Sequence, residues 1–316
     1  MKVGFIMDRW EEIEPEGDST LRVIHEAAKR GHEIGILYIN DLVIKNNIPY
    51  GFFKILKNER IAKDAVDFYN EARFKEELLP IEKFKVIFLR KDPPLDYLSL
   101  NFLDSIEVFT INNIDGIRKA NNKLYLTTFK NFDFIPETYV SNNIKYLLSI
   151  INENPDRKMI LKPVAGYGGS GVILIEKNMR KNLRSILEFY TNKGKNYVIL
   201  QEYIEGAEDG DVRVVMLNGE PIGAMRRIPA KDDIRSNIHA GGRAAKHKLT
   251  IKEISICKRI GKKLIEDGLF WAGLDIIRDK LIEVNVVSPG GIADIEQLTG
   301  EKLQCKVVDF FEKCLS

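Results

Sequence analysis

The sequence predicts a mixed architecture: an α/β unit on a parallel sheet, followed by α+β units rich in antiparallel hairpins. Three observations carry this. The first 120 residues alternate short apolar runs with amphipathic segments of helical period. A glycine-rich turn, Gly166-Tyr167-Gly168-Gly169-Ser170-Gly171, then joins two apolar runs. Two hairpin signals follow, Asn218-Gly219 and Arg278-Asp279-Lys280.

In order along the chain, residues 3–7 read as a strand, 19–30 as an amphipathic helix and 33–39 as a second strand. Gly31 supplies the helix stop. The segment 57–79 is polar and helical in period, and 86–89 and 108–111 read as buried strands. This β-α-β order implies parallel pairing with helices on the sheet faces. From Lys123 the texture changes. A helix is expected over 143–152, strands over 159–163 and 171–176, a helix over 179–190 and a strand over 197–201. Strands at 211–217 and 220–227 flank Asn218-Gly219. The polar stretch 229–247 is long for a connection, and such loops often act as lids. A helix over 251–267 leads into the last hairpin. These breaks divide the chain at 1–120, 121–200 and 201–316, with no internal repeat.

Composition narrows the function classes. Of 316 residues, 44% are hydrophobic and 30% charged, as in an ordinary globular protein. The net charge of +2, with both signs interspersed, gives no case for nucleic acid or a membrane surface. No apolar run reaches the length of a membrane helix, and the opening Met-Lys-Val-Gly-Phe-Ile-Met-Asp is too short for a signal peptide. Cys257, Cys305 and Cys314 have no metal-ligand spacing and suit helix packing in a reducing, cytoplasmic setting. The four histidines form no ligand pair.

The last hairpin carries the strongest chemical signal. Alternation puts Glu283 and Asn285 on one face of a strand, with Asp275 on its partner. Three oxygen donors together suit a hard divalent cation, most simply Mg²⁺; the other reading is a solvated polar face. Lys162 ends a strand just before the glycine-rich turn, where backbone N–H groups and a lysine suit phosphates. The turn lacks the Gly-Lys-Ser/Thr ending of a Walker loop, and a simple flexible turn is the alternative. Gln201-Glu202-Tyr203-Ile204 follows a buried strand at a joint that could read an adenine edge. Arg213, Arg227, Arg235, Asn237 and Arg243 are ordinary surface residues singly, but converging arginines would clamp carboxylate and phosphate groups. Arg90-Lys91-Asp92-Pro93-Pro94 follows a strand end, either as a rigid turn or as a ligand loop.

With these residues in view, the chain closely resembles the bacterial glutathione synthetases of the ATP-grasp superfamily. The resemblance runs through Met7-Asp8, Arg90-Lys91-Asp92-Pro93-Pro94, Asn122-Lys123-Leu124, Leu161-Lys162-Pro163 and the glycine-rich turn. It continues through Asp209-Gly210-Asp211, Arg227-Ile228-Pro229, Ala240-Gly241-Gly242-Arg243 and Gly273-Leu274-Asp275-Ile276-Ile277. It implies an ATP-grasp fold behind a Rossmann-like N-terminal domain. It also implies ATP-driven ligation of γ-glutamylcysteine with glycine, using Mg²⁺ or Mn²⁺, in a dimer or tetramer. The aromatic-rich region 50–74 is a candidate subunit surface.

The resemblance further implies roles. Lys123 and Lys162 would contact the ATP phosphates under a flap of Gly166, Tyr167, Gly168, Gly169 and Ser170. Gln201, Glu202, Tyr203 and Ile204 would hold adenine, with Asp211 near the ribose or phosphates. Asp275, Glu283 and Asn285 would coordinate the metal. Arg213, Arg227, Arg235 and Asn237 would bind reacting phosphate and peptide groups. Arg243, Ser288, Gly290 and Gly291 would line the peptide site. One departure stands out: where the family reads Asn-Val-Thr-Ser-Pro-Thr-Cys or a near variant, this chain has Asn285-Val286-Val287-Ser288-Pro289-Gly290-Gly291. Alternatives are an ATP-grasp ligase for another peptide or amino acid, or a non-catalytic ATP-binding regulator.

Overall fold

A computed structural model of the chain describes every residue except 130, 131, 232–234, 239 and 240, and all described side chains except that of Arg180. Strands β1 (Lys2–Met7), β2 (Glu33–Tyr38), β3 (Leu42–Lys45), β4 (Ile48–Leu56), β5 (Phe74–Pro80), β6 (Val86–Arg90) and β7 (Phe109–Ile111) form the first sheet. Its order is β3-β4-β2-β1-β6-β7, with β5 paired to β4. The pairings among β2, β1, β6 and β7 are parallel, as the alternating pattern requires. Helix α1 (Ser19–Lys29) crosses between the first two strands, capped by the Asp18 side chain on Leu21 N–H.

Two parts of this region differ from the sequence expectation. The segment 57–79 is not one helix. Only α2 (Ala65–Glu71) is helical, and Phe74–Pro80 is a strand antiparallel to β4. Residues 74–80 supply the tertiary reason: Phe52 stands opposite Leu78 and Lys54 opposite Glu76, so cross-strand pairing overrides helical composition. The sheet is also not wholly parallel, because Asn46 and Asn47, both with positive φ, turn β3 back into β4.

Helices α3 (Tyr97–Asn101) and α4 (Ile114–Ala120) precede the second sheet. That sheet comprises β8 (Thr138–Ser141), β9 (Met159–Pro163), β10 (Ile173–Ile175) and β11 (Val198–Glu202), in the order β10-β9-β11-β8. Helices α5 (Ile144–Glu153) and α6 (Leu183–Tyr190) pack on it; the expected helix over 179–190 begins as a 3-10 turn.

The third sheet has the order β14-β13-β12-β15-β16. Its strands are β12 (Asp211–Leu217), β13 (Glu220–Ile228), β14 (Arg243–Lys246), β15 (Trp271–Ile277) and β16 (Lys280–Asn285). The expected lid, 229–247, therefore ends in a strand, because β14 pairs with β13. Its parts at 232–234 and at His239 and Ala240 lie outside the described residues. Helix α7 (Ile251–Glu266) starts in a reciprocal Thr250–Glu253 capping box, and α8 (Ile292–Thr299) and α9 (Leu303–Leu315) complete the chain.

The cores do not follow the three sheets. Ile6, Phe53 and Ile87 of the first sheet share a buried cluster with Val214, Ile260 and Leu274. A second cluster joins Phe5 and Phe88 to Trp271, Ile292 and Phe311. The second sheet has its own, containing Leu147, Leu161, Leu187 and Leu200. Buried Asn112 ties the first sheet to the third, donating to the Trp271 and Val286 carbonyls at 2.7 and 2.9 Å and accepting from Trp271 N–H.

Candidate active site

The β12–β13 and β15–β16 hairpins present one chain of buried charges. Arg213 lies opposite Asp275 in register, and Asp211 lies opposite Arg227. Arg213 grips Asp275 with two bonds, Nε to Oδ1 at 2.6 Å and an NH2 to Oδ2 at 3.0 Å. Arg227 grips Asp211 in the same way, at 2.7 and 2.6 Å, and reaches Asp275 at 3.0 Å. All four side chains are buried. Burial alone would raise the Asp275 carboxyl, but the guanidiniums of Arg213 and Arg227 outweigh it and hold the group down to about 2. For Arg227 burial works against the charge, and Asp275 and Asp211 reverse this, lifting it above the ordinary arginine value.

Asp275 and Glu283 are directly opposite across the last hairpin, and Asn285 Nδ2 donates to Asp275 Oδ2 at 3.1 Å. The three candidate metal residues are thus brought together. Their donors are hard oxygens, and Asp275 is ionised, so the set fits a divalent cation by donor chemistry. Asp275 Oδ1 takes one guanidinium bond and keeps lone-pair capacity for a cation, while Oδ2 is already met by Arg213, Arg227 and Asn285.

Two lysines add positive charge beside this balanced cluster. Lys123 Nζ donates to the Gly166 carbonyl and lies 3.5 Å from the Glu283 carboxylate. Lys162 is 5% exposed and donates to Gln201 Oε1 at 2.9 Å. Burial pushes Lys162 down to about 8; Glu283 opposes the shift and Lys123 adds to it. Gln201 in turn donates to Thr138 Oγ1, which fixes its oxygen toward the lysine.

The glycine-rich turn links β9 to β10, as a flap would. Ser170 N–H donates to Tyr167 O, and the Tyr167 ring is 56% exposed. Gly169 has φ +74°, and a methyl group there would stand 2.8 Å from Arg235 and 3.2 Å from Asn237 Oδ1. The flap thus meets the 235–237 segment at a position where a left-handed φ and the close Arg235 side chain favour glycine.

A cleft of about 470 Å³ runs between the flap and the hairpin, bounded by Pro93, Tyr97, Lys123, Tyr167, Glu283 and Asn285. Several expected residues stand apart from its lining. Glu202 is occupied with Glu137, through backbone and side chain, and the Tyr203 hydroxyl donates to Glu208. Ile204 is half-buried at the joint beyond β11. Asp211 is turned inward to Arg227. Arg243 opens β14 with an exposed side chain, outside the buried charges.

The segment after Asn285 is held by arginines. Arg90 lies over the Trp271 ring at 4.0 Å and donates to Thr20 Oγ1 at 2.9 Å and to Pro289 O at 3.1 Å. Its burial lowers it to about 10, against the pull of Asp18 and Asp92. Arg213 reaches Gly290 O at 3.4 Å. Ser288 has a positive φ, and Gly291 precedes α8. Sequence reasoning singled out the Arg90 loop but not this anchoring. It also missed Ser236, whose hydroxyl donates to Asp211 Oδ2 at 2.5 Å, because nothing local marks a serine in a polar stretch.

Comparison with known proteins decides the family. The model for the prokaryotic glutathione synthetase N-terminal domain matches residues 1–118, and that for the ATP-grasp domain of the same family matches 122–300. The chain belongs to the prokaryotic glutathione synthetase family. It is 34% identical to a glutathione synthetase of Gloeobacter violaceus, over 98% of this chain and 96% of the relative. It is 35% identical to that of Synechococcus elongatus, over 95% and 94%, and 32% identical to that of Brucella melitensis, over 99% and 98%. The ATP-grasp fold is shared with a D-cycloserine synthetase, at TM-score 0.68 and 12% identity over the full length of both chains. The ATP-grasp ligase PsnB shares it at TM-score 0.65 and 14% identity, over 99% of each chain. The family and fold expected from the sequence are therefore those found. A glutathione synthetase frame thus encloses the cleft, the two lysines and the acidic hairpin.

Proposed function

We propose that the chain joins γ-glutamylcysteine to glycine, converting ATP to ADP and phosphate and giving glutathione. It is an ATP-dependent carboxylate–amine ligase. The observation that carries this reading is that a single family accounts for both parts of the chain, over near-complete relatives.

Chemistry and geometry support one sequence of events. The cysteinyl carboxylate oxygen attacks the γ-phosphorus, and ADP leaves. The glycine amine then attacks the acyl carbon, loses a proton, and displaces phosphate. The first step brings two anions together, so positive charge must be in place beforehand. Lys123 and Lys162 supply it to the phosphates, under the flap from Gly166 to Gly171. Gln201 orients Lys162, and the joint through Glu202, Tyr203 and Ile204 carries the adenine. Asp275, Glu283 and Asn285 would hold Mg²⁺, or Mn²⁺, which when bound neutralises charge between ATP and carboxylate. Arg213 and Arg227 hold Asp275 ionised and in place. Asp211 acts through Arg227 rather than on the nucleotide, since both its oxygens are engaged. Arg235 and Asn237 cover the reaction centre. Arg243, Ser288, Gly290 and Gly291 belong to the peptide side. A reducing cytoplasm and a dimeric or tetrameric state are part of the same reading. Three free cysteines suit the first, and molar mass in solution measures the second.

The test supplies ATP, Mg²⁺, γ-glutamylcysteine and glycine, omitting each in turn. Phosphate release that needs all four, with glutathione formed, is expected. Release indifferent to glycine, or satisfied only by another amine, would replace the acceptor in this reading.

A further inference from the structure

Ser236 is 7% exposed, and its hydroxyl donates to Asp211 Oδ2 at 2.5 Å. That carboxylate already has two charge-assisted bonds from Arg227, so the hydroxyl is not needed to neutralise it. What the bond does is fasten the segment that carries Ser236. The residues on either side, Arg235 and Asn237, are the ones that meet the flap at Gly169. Gly242 N–H closes the segment on itself by donating to Asn237 O at 3.1 Å. Inward, the tie continues through Arg227 to Asp275 and Asn285. One hydroxyl thus joins the cover of the site to its acidic hairpin.

We propose that Ser236 is a positioning residue that fixes Arg235 and Asn237 over the reaction centre and so protects the acyl phosphate from water. The inference rests on the ligase reading above. Without the tie, water attacks the acyl carbon, phosphate leaves and the carboxylate returns. ATP is then consumed without product.

The experiment compares the full-length protein with Ser236→Ala and Ser236→Thr. The first measurement is ADP released per glutathione formed. It should stay at about one in the parent and in Ser236→Thr, and rise roughly threefold or more in Ser236→Ala. The second is hydrogen exchange at the Gly242 amide, which needs no substrate. It should quicken about tenfold in Ser236→Ala and little in Ser236→Thr. Unchanged exchange overturns the proposal, as does an unchanged ratio in a protein that makes glutathione. A parent that makes no glutathione overturns the ligase reading instead, and the exchange result then decides the tie alone.

Discussion

Arg213 and Asp275 face each other across β12 and β15 as a buried two-bond pair, at 2.6 and 3.0 Å. Removing one partner strands the other's charge in the core. Asp275→Ala should therefore lower stability by about 3–5 kcal/mol as well as abolish turnover. Glu283, 29% exposed at its side chain, is held by one longer ion pair, 3.5 Å to Lys123. Glu283→Ala should abolish turnover while leaving the melting temperature within a few degrees. Thermal unfolding and phosphate release measure the contrast; a normally stable Asp275→Ala protein would show that the pair does not organise the sheet.

Lys162 ties nucleotide binding to pH. With its value lowered to about 8, it is charged at pH 7 and largely neutral by pH 9. ATP binding should weaken across that range and stay nearly level in Lys162→Arg, whose charge persists. The stability effect has the opposite sign. The folded protein holds this proton less tightly than the unfolded chain, so the lysine's contribution improves as pH rises through 8. Titration of ATP affinity and of unfolding over the same range reads both.

Two glycines should respond in opposite ways. Gly169→Ala meets Arg235 and Asn237 in a left-handed backbone and should depress kcat about tenfold or more. Gly290 has no unusual φ, and a methyl group there would meet nothing within 4 Å. Gly290→Ala and Gly290→Thr should fold with stability within about 0.5 kcal/mol of the parent. Their effect should fall on KM for the dipeptide, measured by initial rates.

Arg90 anchors the Pro289 carbonyl from the far side of the site. Arg90→Ala leaves that carbonyl and the Thr20 hydroxyl without it and uncovers Trp271. A loss of about 1–3 kcal/mol is expected, read by chemical denaturation. Lysine, lacking the planar fork, should not restore it.

Legibility in the sequence followed locality. The Asn218-Gly219 turn was readable because its residue types announce positive φ, and both residues have it. Asn46-Asn47 has the same chemistry and the same positive φ, but the short runs on either side of it were given no strand reading. The helical reading of 57–79 failed because pairing with β4 is invisible in local composition. In the site, alternation was enough to bring Asp275, Glu283 and Asn285 together. The partners of Asp275 were not legible, since Arg213 and Arg227 arrive by sheet register from elsewhere in the chain. Asp211 was placed near the nucleotide by the family resemblance alone; its bonds to Arg227 depend on register between β12 and β13, which no local pattern shows.

The pattern of buried clusters has a mechanical consequence. The first and third sheets share their apolar interior and form one packed block, while the second sheet, with its separate interior, is a smaller block. The chain passes between them near 135–137 and 203–210, and Lys123 adds bonds across to the Val164 and Gly166 carbonyls. A closure of the cleft would then bend the two crossings and shift the Lys123 bonds, with both interiors left undisturbed. In such a jaw the flap would ride on the smaller block, and the acidic hairpin would stay with the larger.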